Sequence, residues 1–316
     1  MAQGGYSGGW ETSAVRRLRR TIQGSWILWL ASGFVVLLVG VAILVPYLRL
    51  ADPFAQSLER LAPPTPEHPF GTDRLGRDVL SRTVWATRYA LVVGIGTVVV
   101  GGAVGTVWGM AAGFSGPFAQ EVLSRLVDVF LAFPPLILAM VVVTLLGNGV
   151  LPVVVALSFG VAPRFARVAR AVVLAIRVQS YVEAARAIGA SSPRILLRHI
   201  LPNTLDSLIV LGTLTIPTAI LTEALLSFLG IGIVEPTPTW GNIASMGQMV
   251  LREAPWVVLC PSLALLCTVL SFNLLGDAVR DALDPTTSRG VWMRRAERAE
   301  LETEPARLAS RRIPAG

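Results

Sequence analysis

Residues 89–113 read YALVVGIGTVVVGGAVGTVWGMAAG, a stretch without a charged side chain. A helix that crosses a bilayer needs about 20 mostly apolar residues at a rise of 1.5 Å per residue. Further charge-free runs occupy 21–48, 129–163, 207–222 and 254–276. The strands of a membrane barrel would instead alternate in short segments. These continuous runs therefore predict an all-α integral membrane protein.

The composition supports lipid as the surrounding medium. Of 316 residues, 53% are hydrophobic and 15% are charged, and the mean hydropathy is +0.64. Soluble domains carry about 25% charged residues. The net charge is +7 and all 27 basic residues are arginine. Because the arginines cluster beside apolar runs, they favour an anionic membrane surface over nucleic acid as the partner of this charge.

Two local features divide the apolar runs into six spans. The turn signal Gly147-Asn148-Gly149 interrupts the longest run, since glycine readily adopts positive φ and asparagine tolerates it. The run that begins at 207 reaches full length only when Glu223 is included. The membrane domain is predicted over 25–285, with spans at 25–48, 89–113, 126–146, 150–170, 205–229 and 254–277.

The distribution of arginines predicts the orientation, because short cytoplasmic loops carry an excess of positive charge. An arginine cluster in the tail 1–24 places the N-terminus in the cytoplasm. The arginine-rich loop 171–203 and the tail 286–316 then also lie inside. The segment 49–88 lies outside, and its second part, 72–88, is expected to form a short interfacial helix.

The loop between the fourth and fifth spans contains SYVEAARAIGASSPRILLRHILPN at 180–203. Ser180 and Glu183 have the spacing of a capping box, which predicts that a helix starts directly after Ser180. Gly189 is well placed to end this helix in a left-handed turn. Pro202 is expected to break the chain before the fifth span. The loop is thus predicted to form two short helices around a glycine corner.

This loop resembles the EAA motif, E-A-A-x3-G-x9-I-x-L-P, of permease subunits in bacterial ABC importers. The matching residues are Glu183, Ala184, Ala185, Gly189, Leu201 and Pro202. His199 stands at the isoleucine position, within an R-H-I-L-P-N sequence that is similar to the peptide-permease branch. The stretches 68–82, 221–242 and 272–285 resemble the same dipeptide, oligopeptide and nickel branch. Most of 25–285 is therefore similar to the second, shorter permease type of these systems.

The resemblance implies a type I ABC importer-like fold with six transmembrane helices, in the bacterial inner membrane. The chain would be a non-catalytic half of a heterodimer with a second homologous permease. Two ATPase subunits, which bind ATP and Mg²⁺, and an extracytoplasmic substrate-binding protein would complete the system. A coupling helix at about 181–190, including Glu183 and Arg186, would dock on an ATPase subunit. The chain itself would bind no cofactor, and without lysine it cannot contain a Walker-type loop.

Two other charged features have alternative interpretations. An ionised side chain within a span costs a few kcal/mol, so Glu223 either lies on the translocation path or forms a hydrogen bond to another helix near the outer end of its span. The outer segment carries a charged patch that either contacts the binding protein or the partner permease, or closes into its own ion-pair network. The patch consists of Asp73, Arg74, Arg77 and Asp78.

Two other classes of protein compete with an importer subunit. A secondary transporter or a channel subunit without an ATPase would favour a larger bundle with inverted repeats, and no such repeat is visible. An intramembrane enzyme needs several converging ionisable groups, and Glu223 alone qualifies. The histidines His68 and His199 are predicted on opposite sides of the membrane, so no metal site is expected. The sequence leaves the solute open among peptides, nickel and related small molecules.

Overall fold

The computed structural model describes residues 25–283, so the predicted tails 1–24 and 286–316 lie outside the described residues. Within this range the chain is helical apart from turns and one isolated β-bridge between Thr72 and Asp78. The helices are α1 Trp26–Leu44, α2 Val79–Phe114, α3 Pro117–Ala132, α4 Pro135–Leu146, α5 Val150–Ile176, α6 Ser180–Ala187, α7 Ser192–Ile195, α8 Leu201–Phe228, α9 Trp240–Gln248 and α10 Trp256–Leu283.

Five helical segments are long and apolar enough to cross a membrane, and the number is six if α3 and α4 count as one bent span. The predicted all-α class and number of spans are therefore confirmed. Residues Ile27–Gly276 form one compact unit, and the packing described below is that of this unit.

Helix α2 packs closely along α5 through glycines that recur every fourth residue. A side chain at Gly105 would overlap the carbonyl oxygen of Ala162, and one at Gly109 would overlap that of Ala166. Small residues at this spacing let the backbones of membrane helices approach each other. The pair α2–α5 therefore forms the tightly packed centre of the unit, against which α8 also packs.

The helix that contains the second predicted span begins at Val79, ten residues before the predicted start of the span at 89. The carboxylate of Asp78 accepts a hydrogen bond of 2.6 Å from the backbone N–H of Ser81 and caps the helix there. The interfacial helix predicted at 72–88 does not form as a separate element. Its first residues are turns, and the rest is the first part of α2.

The predicted span 126–146 is not one straight helix. Helix α3 ends at Ala132 and α4 begins at Pro135, with a bend of 93° between them. Proline lacks an N–H and disfavours a helical residue before it, so the pair Pro134-Pro135 interrupts the helix. The turn predicted at 147–149 is confirmed, since Gly147 and Gly149 have φ values of 89° and 138°.

Helix α5 continues to Ile176, beyond the predicted end of the fourth span at 170. Arg164, Arg167 and Arg170 therefore lie within this helix and not at its end. The next helices of the chain, α6 and α7, pack beside the last turns of α2 and α5. At the other end of α2, the outer segment and α9 pack around its first turns.

Candidate functional site

Helix α6 at the predicted coupling loop has one buried face and one exposed face. Val182 and Ala185 are 0% and 7% exposed, whereas Glu183 and Ala184 are exposed. The buried side chains belong to an apolar cluster that draws residues from three other places in the chain. These are Met110 of α2, Val173 of α5, and Ile195 and Ile200 after the glycine corner.

The predicted capping box does not form. Helix α6 begins at Ser180, with Gln179 in the capping position and no hydrogen bond from a capping side chain. Among the described residues, the carboxylate of Glu183 has no hydrogen-bond or ion-pair partner. Its charge is therefore exposed and available to another molecule.

The glycine corner is confirmed. Gly189 has a φ of 83°, and its N–H donates to the carbonyl of Arg186 at 2.9 Å. The N–H of Ala190 donates to the carbonyl of Ala185 at 3.0 Å. This pair of bonds is the Schellman arrangement that ends a helix at a left-handed residue. A side chain at Gly189 would meet nothing within 4 Å, so the backbone conformation alone favours glycine here.

The predicted break at Pro202 is wrong, because the segment Ser192–Phe228 is one continuous helical run of 37 residues. A π-helical turn at Leu196–Ile200 precedes α8, and the N–H of Leu201 donates to the carbonyl of Leu196 across it. The wider turn shifts the hydrogen-bond pattern just before Pro202. Proline is also tolerated in the first turn of a helix. The glycine corner is therefore followed by a continuous helical run that includes the membrane helix α8.

Three side-chain contacts join this loop to the neighbouring helices. The guanidinium of Arg186 lies over the ring of Phe114, 5.4 Å from its centre. Arg177 donates to the carbonyl of Gly113 at 3.0 Å. The rings of Tyr181 and His199 lie 6.2 Å apart. The loop thus contacts the end of α2, the end of α5 and the π-helical turn.

The exposed side of α6 also carries apolar residues that sequence reasoning missed. Ile188, directly before the corner, is 85% exposed, and Tyr181 is 45% exposed. Val182, Ala185 and Ile188 follow each other at a spacing of three residues, so helical periodicity alone would not have predicted that Ile188 is exposed. Of the other motif residues, Leu201 packs against the buried cluster and Pro202 is exposed.

Asp73 and Arg77 of the charged patch join an ion-pair network in which the arginines are buried and the shared acid, Glu235, is about one-third exposed. Arg77 donates to Asp73 at 2.7 Å and to Glu235 at 2.6 Å, and Arg82 donates to Glu235 at 2.7 Å. Burial lowers the pKa of Arg77, but the hydrogen bond to Glu235 and the charges of Asp73 and Glu235 outweigh it, so the pKa is raised. Asp73, Arg77 and Arg82 are all buried.

Two other members of the patch lie outside this network. Asp78 caps α2 and contacts the ring of His68 at 2.8 Å. Arg74 is exposed, so it is the patch residue that is most accessible to a partner, and its role there stays a prediction. Sequence reasoning missed Arg82 and Glu235, because Glu235 lies 158 positions from Arg77 in the chain.

Glu223 is buried near the end of α8, with 1% of its surface exposed. Its carboxylate accepts a hydrogen bond of 2.7 Å from Ser227 in the same helix. The hydroxyl of Ser227 also accepts from the N–H of Ile233 at 3.0 Å. The hydrogen bond of Glu223 is thus within its own helix, whereas the prediction placed it between two helices. A place for Glu223 on the translocation path stays a prediction.

Residues 105–289 match the family described as binding-protein-dependent transport system inner membrane component. The glutathione transport system permease protein GsiD of Pectobacterium atrosepticum is 42% identical over 256 residues, covering 80% of this chain and 84% of that protein. GsiD of Escherichia coli O157:H7 is 41% identical over 257 residues, covering 81% and 85%. A solved chain of the inward-facing MetNI methionine ABC transporter has a TM-score of 0.51 at 23% identity, covering 65% of this chain and 96% of that one.

The chain therefore belongs to the family of inner-membrane components of binding-protein-dependent transport systems, and it is a multi-pass permease component of a bacterial ABC importer. Within that family it is a permease of the peptide type, as its relatives show. The resemblance to the permease subunits of bacterial ABC importers is thus confirmed, and so is the type I importer fold.

Proposed function

We propose that this chain forms half of the translocation pathway in an ATP-driven importer of short peptides, and that α6 docks on an ATPase subunit. The other proposed subunits are a second homologous permease, two ATPase chains that bind ATP and Mg²⁺, and an extracytoplasmic substrate-binding protein. One observation carries the proposal: α6 has a free face and a buried face, and it lies beside a helix that continues into the membrane.

The free face of α6 has the chemistry of a docking surface. The exposed Ile188 offers apolar area, and Ala184 lets a partner backbone approach closely. An arginine on the ATPase would form a charge-assisted pair with the carboxylate of Glu183. A loop that only contacted water would gain nothing from exposing a large apolar side chain beside this carboxylate.

The buried face of α6 supports transmission of movement. Val182 and Ala185 pack against Val173 of α5 and against Ile195 and Ile200, which lead into α8. Because the run Ser192–Phe228 is continuously helical, displacement of α6 would be passed on to α8. Packed helices of this kind shift between discrete arrangements, which here would be the inward-facing and outward-facing states.

The proposed cargo is a short peptide, and glutathione is the first compound to test. The relatives that are 41% and 42% identical are glutathione transport permeases by name. Nickel and other small solutes are carried by similar permeases in the same branch, so they serve as comparison cargoes in the same assay.

Reconstitution in proteoliposomes tests both parts of the proposal. The complete transporter should show uptake of labelled glutathione that depends on ATP and on the binding protein. We expect Glu183→Gln to lower this uptake about tenfold or more, because it removes one partner of an interface charge pair. Glu121→Gln is the matched control, since Glu121 is exposed on α3 and, within residues 25–283, pairs with Arg125 one helical turn away. Uptake without the ATPase subunits would instead indicate a channel or a secondary transporter.

A further inference from the structure

Helices α5 and α8 share a polar face that the coupling mechanism does not use. A small cavity of about 40 Å³ lies between them. It differs from the long groove between α2 and α8, whose lining is almost entirely apolar and includes Val99. The polar residues that line the small cavity are Arg164 of α5 and Thr215, Thr218 and Thr222 of α8.

Arg164 lies in the second half of α5, a helix that is long and apolar enough to cross a membrane. At 1.5 Å per residue it is about 21 Å from Val150, the first residue of α5, and the hydrocarbon core of a bilayer is about 30 Å thick. An arginine at this depth is costly when it faces lipid, so such residues face protein or a water-filled cavity. The side chain of Arg164 is exposed in the single chain. It therefore points to a water-filled space or to a partner molecule.

The guanidinium of Arg164 is free to bind a ligand, unlike that of its neighbour. Arg167 is paired with Asp128 of α3 at 2.8 Å. Arg164 forms no hydrogen bond or ion pair with any residue of the range 25–283. A guanidinium offers a planar fork of donors that matches a carboxylate, so an anionic group is the ligand that suits it.

The threonines add acceptors to the same face. The hydroxyls of Thr215 and Thr222 donate to the backbone carbonyls of Leu211 and Thr218 in their own helix, at 2.6 and 2.7 Å. Thr218 donates to Leu214 in the same way at 3.4 Å. Since each hydroxyl has one hydrogen and two lone pairs, these oxygens present only acceptors to the cavity. The face thus combines a carboxylate-binding fork with acceptors for N–H groups.

We propose that this face, the α5–α8 polar face, lines the translocation pathway and that Arg164 binds the carboxylate of a peptide in transit. The assignment of the cargo rests on the proposed function, whereas the presence of a water-accessible, anion-attracting site does not. Carboxylate and N–H groups together are the polar groups of a short peptide with a free C-terminus. The chain thereby gains a specificity residue within the membrane, separate from the binding protein.

The test uses the full chain in its reconstituted complex, with Cys260→Ala and Cys267→Ala to remove both cysteines. Thr218→Cys then reports the site through its rate of modification by an anionic, sulfonate-bearing methanethiosulfonate and by a cationic, trimethylammonium-bearing one. We expect both reagents to react, and we expect Arg164→Gln to lower the anionic-to-cationic rate ratio about fivefold or more, because a nearby positive charge concentrates anions. Arg164→Lys should keep most of the preference.

Two controls make this result specific. Arg88→Gln makes the same substitution at an exposed arginine on another face, where α2 borders α1, and should leave the rate ratio unchanged. Val99→Cys, in the apolar groove, should react at least about tenfold more slowly than Thr218→Cys, because thiolate formation and these reagents need water. The measurements are made with and without ATP and vanadate, so that both conformations are sampled.

The outcomes separate this proposal from the proposed function. Absence of reaction at Thr218→Cys in both nucleotide states would overturn the polar face as a pathway, and so would a rate ratio that Arg164→Gln does not change. Neither readout requires transport. If the site attracts anions but the complex takes up no glutathione, the pathway stands and the proposed cargo is wrong. If glutathione is taken up, Arg164→Gln should lower uptake of this peptide about tenfold while Arg88→Gln does not.

Discussion

The two ends of α2 use charged residues in opposite ways. At its first turns, Asp73, Arg77 and Arg82 are buried and share the carboxylate of Glu235. Near its last turns, the charge of Glu183 is exposed and the interior is apolar. The charges at the first turns of α2 therefore stabilise the structure of the chain itself. Near the last turns of α2, the charge of Glu183 stays at the surface, which suits contact with another subunit.

This difference predicts how strongly each end responds to the loss of a charge or of a packed side chain. Removing one member of a buried ion pair leaves the other member without compensation, which costs several kcal/mol. Changing an exposed charge costs little stability. The predictions below run from the largest expected change in the free energy of unfolding to the smallest.

The outer network should give the largest loss of stability. We expect Glu235→Gln to lower the free energy of unfolding by about 3 kcal/mol, because Arg77 and Arg82 both lose their shared counter-charge. Thermal unfolding in detergent, followed by circular dichroism, measures the change. Glu253→Gln is the control, since this exposed acid precedes α10 outside the network. Equal stability of the two variants would contradict the structural role of the network.

The apolar cluster beneath α6 should give the second largest effect. Val182→Ala removes two methyl groups from a fully buried position, and we expect a loss of about 2 kcal/mol. ATP-driven uptake should fall as well, because α6 would be held less firmly against α5 and the helical run into α8. Val178→Ala, at a largely exposed position just before α6, should change neither quantity. A variant that stays stable but hydrolyses ATP without uptake would separate the role of this cluster in transmitting movement from its role in stability.

The glycine corner should show a smaller effect of purely backbone origin. Gly189→Ala should cost about 1 kcal/mol, because a side chain is disfavoured in the left-handed region. Gly116→Ala is a matched control: a side chain there also meets nothing within 4 Å, but the φ of Gly116 is −65°. If both substitutions had the same effect, the left-handed turn would not be the reason for glycine at 189.

Glu183→Gln should change stability least, by less than about 0.5 kcal/mol. The same variant is expected to lose most of its coupled uptake. Its effect on uptake should therefore exceed its effect on stability, which is the opposite of the expectation for Glu235→Gln. A large destabilisation by Glu183→Gln would mean that the carboxylate acts within the chain and is not free for an ATPase subunit. Unfolding curves and uptake rates from one preparation provide the comparison.

Much of the fold follows from local sequence signals. Long charge-free runs predict the spans, and the glycines at 147 and 149 predict the turn between α4 and α5. The start of α2 was missed because charged residues between 73 and 88 suggested an interface. The structure instead neutralises Arg82 inside the ion-pair network. The bend between α3 and α4 had a local signal in the pair Pro134-Pro135. The prediction of one span followed the apolar composition of this region and not that signal.

At the candidate coupling site, sequence reasoning found the motif but not its packing. The left-handed turn at Gly189 was predictable because glycine adopts positive φ more readily than any other residue type. The capping box failed because the helix begins one residue earlier than predicted, at Ser180. The continuity through Pro202 was not predictable, because it depends on the π-helical turn before α8.

The sequence by itself determined that the chain resides in a bilayer, how many spans it has, and where glycine turns the backbone. These properties depend on apolar length and on local conformational preference, which are encoded by neighbouring residues. Only the tertiary structure decided which charges are satisfied within the chain. Arg77 meets Glu235 across 158 positions, whereas Glu183 and Arg164 meet no partner among the described residues. Burial and pairing depend on how distant helices pack together, and no local pattern carries that information.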